Sequence, residues 1–174
     1  LHRAAARLDQ AGVSFGHGTT NAFDEAVWLA LWRLDLPLDD LDSVAGHALA
    51  EDEIAALDTV FERRITTRRP AAYLTGQAWL QGVAFTVDER VIVPRSLIAE
   101  VLAQGLIDPW LTPTTTRVLD MCTGNGSLAV LAAMAWPDVR VDAADISTEA
   151  LAVARINMAR HQLEDRITLY QGDG

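Results

Sequence analysis

Two glycines spaced two residues apart, Gly124 and Gly126, constrain this chain more than any other feature. They follow a short apolar segment and precede a run rich in alanine, leucine and valine. This order predicts a strand, a tight loop and a helix, because glycine lets the backbone turn sharply and approach a ligand closely. The alternative is a glycine-rich connection that binds nothing, but the strand–loop–helix setting favours a nucleotide-like ligand.

The C-terminal part of the sequence predicts an α/β domain. Strands are expected near residues 117–121, 139–144 and 167–171, with helices near 127–135 and 148–161 between them. This alternation is typical of a parallel sheet covered by helices. A helix near residues 97–106, capped by Ser96, precedes it, and a linker loop is expected over residues 108–116.

The N-terminal part predicts a helical domain over residues 1–73. Asn21 is a plausible N-cap for a first helix that residues 35–37 break. A second helix over residues 51–67 is predicted to bury one face, and Pro70 ends it. The face comprises Ile54, Leu57, Phe61 and Ile65, and four arginines (Arg63, Arg64, Arg68 and Arg69) cluster near the C-terminal end, where positive charge is favoured.

Residues 74–96 predict a β-hairpin linker between the helical domain and a cofactor-binding domain over residues 97–174. Three short segments rich in β-branched or aromatic residues, 78–80, 83–87 and 91–93, are expected to be strands. Gln81-Gly82 and Asp88-Glu89 separate them.

Two classes of ligand compete for the glycine loop. The loop also satisfies the dinucleotide pattern G-x-G-x-x-A, and Asp145, 19 residues after Gly126, could accept both ribose hydroxyls of either ligand. Asp120 distinguishes them, because a carboxylate beside the loop would repel a pyrophosphate but stabilise the sulfonium and ammonium of S-adenosylmethionine. The sequence therefore favours S-adenosylmethionine over NAD, although Asp120 could also be a capping or solvated residue.

Other residues near the loop are candidate ligands of the same cofactor. Ile146 would cover one face of the adenine, which is compatible with a core position at a strand end. Asp173 could meet the adenine amino group or could simply be a turn residue before Gly174. Asn157 is expected to be a packing or surface residue rather than a ligand, and no metal site is predicted.

Charge and cysteine content exclude some classes of function. The net charge of -10 disfavours non-specific binding of nucleic acid and suits a basic protein partner, although it could also serve solubility alone. Cys122 is the single cysteine, so the chain can form no internal disulfide, as expected in the cytoplasm. No apolar segment is long enough to span a bilayer.

Several segments together resemble the HemK-type family of protein-glutamine methyltransferases. They are residues 69–76, 87–96, 118–126, 142–147 and 150–157. The resemblance implies a helical substrate-recognition domain, a β-hairpin and a Rossmann-like class I methyltransferase sheet, of which this sequence contains the first half. It also implies methylation of a glutamine side-chain amide in a translation protein, with S-adenosyl-L-methionine held by Asp120, Cys122, Thr123, Gly124, Gly126, Asp145, Ile146 and Asp173.

The resemblance assigns no catalytic residue here. In the family an Asn-Pro-Pro-Tyr motif after the fourth strand grips the amide, and this sequence contains no such motif. The 174 residues alone are therefore expected to be inactive and, with the first strand left as an open edge, prone to associate.

Cys122 takes the first glycine position of the family pattern D-x-G-x-G-x-G. This resembles the branch acting on ribosomal protein three of the large (50S) subunit more than the release-factor branch. A nucleophilic role for Cys122 is not expected, since its small size explains it. Methylation of a release factor, an NAD-dependent oxidoreductase and a binding module without catalysis remain the alternatives.

Overall fold

The computed structural model describes residues 1–46 and 48–173, so Gly174, the last residue of the predicted cofactor-binding domain, lies outside the described residues. The chain divides into two compact units. The first comprises Leu1–Thr75, and the second begins at Gly76. The hairpin that the sequence predicts as a separate linker is grouped with the second unit.

The first unit is helical. Its helices are α1 (His2–Gln10), α2 (Ala22–Arg33), α3 (Leu41–Val44), α4 (Glu51–Thr67) and α5 (Ala71–Thr75). The predicted cap of α2 is confirmed, since the side chain of Asn21 accepts a hydrogen bond of 2.9 Å from the backbone N–H of Asp24. The short helix α5 corrects the sequence interpretation at Leu74, which was expected to begin the β structure.

The predicted apolar face of α4 is only partly buried. Leu57 and Phe61 lie in the core of this unit with Leu8, Ala26 and Leu29, whereas Ile54 remains 38% exposed. Ile54 lies in the first turn of α4, whereas Leu57 and Phe61 lie farther along the helix. The core therefore rests on the middle of α4.

A buried ion pair also holds the helical unit together. Arg64 of α4 donates from Nε to Oε1 of Glu25 in α2 at 2.7 Å, and from Nη2 to the carbonyl of Ser14 at 2.9 Å. The hydroxyl of Thr19 donates to the other carboxylate oxygen of Glu25 at 3.0 Å. Arg64, which the sequence groups only with the arginines at the C-terminal end of α4, thus joins two helices and the loop between α1 and α2.

The second unit contains a hairpin and a parallel sheet. The hairpin pairs β1 (Gln77–Leu80) with β2 (Val83–Thr86), and the turn between them has positive φ at Gln81 and Gly82. The remaining elements are α6 (Leu97–Ala103), β3 (Arg117–Met121), α7 (Ser127–Ala135), β4 (Arg140–Asp145), α8 (Thr148–Arg160) and β5 (Ile167–Gln171). The strands run parallel in the order β3-β4-β5, which confirms the predicted α/β architecture.

Three local predictions in this unit were wrong. Residues 91–93 form no strand: Val91 and Val93 are buried, but Pro94 has no N–H to donate to a sheet. The predicted helix over 97–106 ends at Ala103. The expected linker loop contains a 3₁₀ turn at Asp108–Trp110, and the side chain of Asp108 accepts a 2.9 Å hydrogen bond from Nε1 of Trp136.

The sheet and its helices pack around one continuous core, and β3 lies at an edge of the sheet. Phe85, Val130 and Val141 are fully buried in this core. Among the described residues β3 pairs only with β4, and Leu119 and Met121 are 61% and 45% exposed. Such an edge presents unpaired backbone groups next to apolar side chains.

No helix in the described part of the chain is long and apolar enough to cross a membrane.

Candidate functional site

The candidate site lies where the three parallel strands end. The register pairs Met121 with Ala144 and Asp145 with Gln171, so the carboxyl ends of β3, β4 and β5 meet at one edge of the sheet. In open α/β sheets ligands bind at this edge. The loops that follow these strands therefore determine what the site can bind.

The loop after β3 has left-handed backbone at every second residue. Cys122, Gly124 and Gly126 have φ values of 59°, 57° and 78°. The backbone N–H of Thr123 donates to the carbonyl of Ala144 at 2.9 Å, which keeps the loop against β4. Cys122 thus adopts a conformation that favours glycine, at a cost of roughly 1–2 kcal/mol.

The two glycines in the loop serve different purposes. A Cβ at Gly126 would lie 3.1 Å from Cβ and 3.3 Å from Cα of Ala154, so this glycine allows the loop to pack against α8. A Cβ at Gly124 would meet no atom within 4 Å. Gly124 therefore leaves open space through which a ligand can approach the backbone.

Asp120 is a partly buried carboxylate beside this loop. Its Oδ2 accepts a hydrogen bond of 2.5 Å from the hydroxyl of Thr123. Burial raises the pKa of Asp120 above its usual range; the bond from Thr123 lowers it, and the negative charge of Asp145 raises it further. A carboxylate that is poorly solvated and close to another acid favours a cationic ligand, because positive charge would stabilise its ionised form.

Asp145 holds the loop in place. Its Oδ2 accepts from the N–H of Gly124 at 2.8 Å, and its Oδ1 accepts from the N–H of Ser147 at 2.9 Å. A carboxylate has about four acceptor positions, so two remain for ligand hydroxyls. The sequence predicted the ribose role for Asp145 and missed its second role as a support for the loop.

The remaining predicted site residues lie near the same edge. Ile146 is 66% exposed and is therefore not the core residue that the sequence also allowed. Asp173 is exposed two residues beyond the end of β5, and Cys122 carries an exposed free thiol. Whether Ile146, Asp173 and Cys122 contact a cofactor stays a prediction.

Asn157 of α8 is the residue whose importance the sequence did not show. It is completely buried, and its side chain bonds both the backbone of Thr86 and the carbonyl of Asn125 in the loop. The side chain of Asn125 is also buried; its Oδ1 accepts from Ser127 N, while its Nδ2 has no partner in the described part of the chain. The sequence could have shown that Asn157 is a polar residue on the buried face of a helix, but not which groups it bonds.

The chemistry of these groups fits S-adenosyl-L-methionine. Two carboxylates, Asp120 and Asp145, suit a ligand with positive charge and ribose hydroxyls, and the exposed Ile146 suits a planar base. A pyrophosphate would meet the negative charge of Asp120 instead of a compensating cation. No group of three or more potential metal ligands occurs among residues 1–46 and 48–173.

Comparison with known proteins finds similarity to methyltransferases. Residues 98–174 match the family model of the methyltransferase small domain. Ribosomal protein uL3 glutamine methyltransferases from Burkholderia pseudomallei and Bordetella pertussis are 54% and 52% identical to this chain over 99% of its length. A solved precorrin-6y C5,15-methyltransferase from Geobacter metallireducens is 22% identical, with a TM-score of 0.39 over 51% of this chain and 44% of its own.

The chain spans 57% and 58% of these two curated relatives, a little over half of their length. The resemblance to protein-glutamine methyltransferases is confirmed by the identity over nearly every residue of this chain. The chain is thus a relative of the ribosomal protein uL3 glutamine methyltransferases, with part of a Rossmann-like methyltransferase fold in its second unit.

Proposed function

We propose that this chain provides the cofactor site of an S-adenosyl-L-methionine-dependent methyltransferase that modifies a glutamine side-chain amide of ribosomal protein uL3. The observation that carries the proposal is the left-handed glycine loop flanked by Asp120 and Asp145 at the carboxyl edge of the parallel sheet. The names of the curated relatives support the choice of substrate.

The residues of this chain would bind and orient the cofactor. S-adenosyl-L-methionine supplies an electrophilic methyl group on a sulfonium when it is bound. Asp120 offers negative charge in a poorly solvated position, where an opposite charge is stabilised more than in water. The free acceptor positions of Asp145 would take ribose hydroxyls, while Ile146 would cover the base and exclude water.

The acceptor amide makes positioning the central requirement of the reaction. A glutamine amide nitrogen is a weak nucleophile, because its lone pair is delocalised into the carbonyl. Holding the nitrogen in line with the methyl group supplies much of the rate. No residue of this chain is assigned to that step, since the Asn-Pro-Pro-Tyr motif implied by the family resemblance is absent from the sequence.

The helical unit is proposed to recognise the protein substrate. Between Arg33 and Arg63 the sequence contains nine acidic residues and neither lysine nor arginine. The net charge of -10 has the same sign. Both features suit a basic protein, which an acidic surface attracts over distances comparable to the Debye length. We place this activity in the cytoplasm, where a single unpaired cysteine stays reduced.

Two measurements on the full-length enzyme test the proposal. Calorimetry should show binding of S-adenosyl-L-methionine and of its demethylated product, S-adenosylhomocysteine; binding of NAD alone would refute the cofactor. Tritium from labelled cofactor should be transferred to purified uL3 and not to a peptide-chain release factor assayed in parallel. Transfer to the release factor alone would refute the substrate.

A further inference from the structure

Asn157 connects two segments that are far apart in the sequence. Its Oδ1 accepts from the N–H of Thr86 at 2.7 Å, and its Nδ2 donates to the carbonyl of Thr86 at 3.0 Å. The same Nδ2 donates to the carbonyl of Asn125 at 2.9 Å. One buried amide therefore makes hydrogen bonds both to the backbone of the last residue of β2 and to the backbone of the glycine loop.

Besides the bond from Thr123 to Ala144, the glycine loop is held on both sides of its Gly124–Asn125 peptide. Asp145 accepts from the N–H of Gly124, and Asn157 donates to the carbonyl of Asn125. These groups belong to the peptide units on either side of the Gly124–Asn125 peptide. Glycine on both sides of Asn125 gives this backbone more conformational freedom than other residues would, and the two bonds restrict it to the left-handed conformation observed.

The two supports lie at the end of β4 and on the helix that follows it, since Asp145 is the last residue of β4 and Asn157 belongs to α8. Ser147 caps α8, accepting from the N–H of Ala150 at 3.1 Å, and Asn157 lies farther along the same helix. The loop is packed against α8 between them, since Gly126 approaches Ala154 closely. The hairpin then becomes part of the support, because the amide that holds the loop is itself held by Thr86.

We propose that Asn157 is a positioning residue for the cofactor: it ties the glycine loop to the hairpin, so that the loop has its binding conformation before the cofactor arrives. This inference rests on the proposed cofactor. It gives Asn157 no contact with the cofactor, and it makes the hairpin and the cofactor loop thermodynamically coupled, so that each stabilises the other.

A residue that only contributes to the core would destabilise the fold without changing the affinity of the folded protein. His161 provides the matched control. It lies on the same helix, its Nε2 contacts the carbonyl of Ala84 in β2 at 2.9 Å, and its ring packs against Phe85, but it has no hydrogen bond to the loop. His161→Phe removes the hairpin bond and keeps a ring in place.

The test uses the full-length enzyme at temperatures where circular dichroism shows each variant to be folded. Asn157→Asp keeps the acceptor for Thr86 and removes both donated bonds, and Asn157→Ala removes all three. The dissociation constant for S-adenosylhomocysteine should rise at least about tenfold in both variants, a loss near 1.4 kcal/mol, and stay within about twofold in His161→Phe. Equal affinity in the wild-type and Asn157 proteins would overturn the inference.

Amide hydrogen exchange provides a second readout that needs no variant to bind ligand. In the ligand-free Asn157→Ala protein the amide of Gly126 should exchange several-fold faster than in wild type, and in His161→Phe it should not. In the wild type, S-adenosylhomocysteine should also slow exchange at Thr86. No change at Gly126 in Asn157→Ala would overturn the inference, whereas a wild-type protein that binds no S-adenosylhomocysteine would refute the proposed function instead.

Discussion

Replacing Gly126 with alanine would place a methyl group against helix α8. Left-handed backbone at φ 78° costs an alanine roughly 1–2 kcal/mol. The new Cβ would lie 3.1 Å from Cβ and 3.3 Å from Cα of Ala154, and one of these contacts is with backbone that cannot rotate away. Forcing an extra carbon into a packed site adds typically 1–3 kcal/mol. After subtracting about 0.5 kcal/mol for the stiffer unfolded chain, we expect a loss of about 1.5–4.5 kcal/mol.

Gly124→Ala separates backbone strain from packing. Its φ of 57° is also left-handed, but no atom lies within 4 Å of the added Cβ, so a loss of only about 0.5–1.5 kcal/mol is expected. Urea unfolding of both full-length variants would measure the difference. Equal losses for the two alanines would refute the argument, because strain alone would then account for both.

Cofactor affinity should fall for Gly124→Ala even where stability hardly changes, since the added methyl enters the open space proposed for the ligand.

The loop, the site acid, the ion pair and the open edge lead to further predictions. Cys122→Gly should stabilise the protein by about 0.5–1 kcal/mol in urea unfolding, because glycine adopts the left-handed φ of 59° without strain; Cys122→Ala should be neutral. Affinity for S-adenosyl-L-methionine should fall as pH decreases through the raised pKa of Asp120, and this fall should begin at a higher pH than for an exposed aspartate. In calorimetry, Asp120→Asn should bind the cofactor more weakly and should lack this pH dependence. Glu25→Ala should cost about 3–5 kcal/mol in thermal or urea unfolding, because Arg64 would stay buried without its partner. The 174-residue chain alone should transfer no tritium and should associate in sedimentation through β3; methyl transfer by a monomeric preparation would contradict this.

The elements best predicted from sequence are those governed by local patterns. The glycine loop, β3, α7 and β5 have the predicted bounds, because an apolar strand, two glycines and a helical run specify them without distant contacts. Val91 and Val93 show the limit of such patterns: both residues are buried, but whether buried residues pair into a sheet depends on neighbouring strands.

Long-range polar contacts could not be predicted. Arg64 and Glu25 are 39 residues apart, and Asn157 and Thr86 are 71 apart, so no spacing rule connects either pair. Single residues of these types occur mostly at surfaces, and only the packing of helices brings each to its partner. The position of Asp145 after a strand was predictable, whereas its bond to Gly124 depends on how the loop folds back over β4.

The contact between Arg64 and the carbonyl of Ser14 spans 50 residues, and it affects how the helical unit can form during translation. At about 5–20 residues per second, Arg64 is polymerised roughly 2.5–10 s after Ser14. Until then the carboxylate of Glu25 has no cation to accompany it into the interior, and burying it beside Leu29 would be unfavourable. We therefore expect the nascent α1 and α2 to stay accessible to water and to chaperones until α4 has left the ribosome.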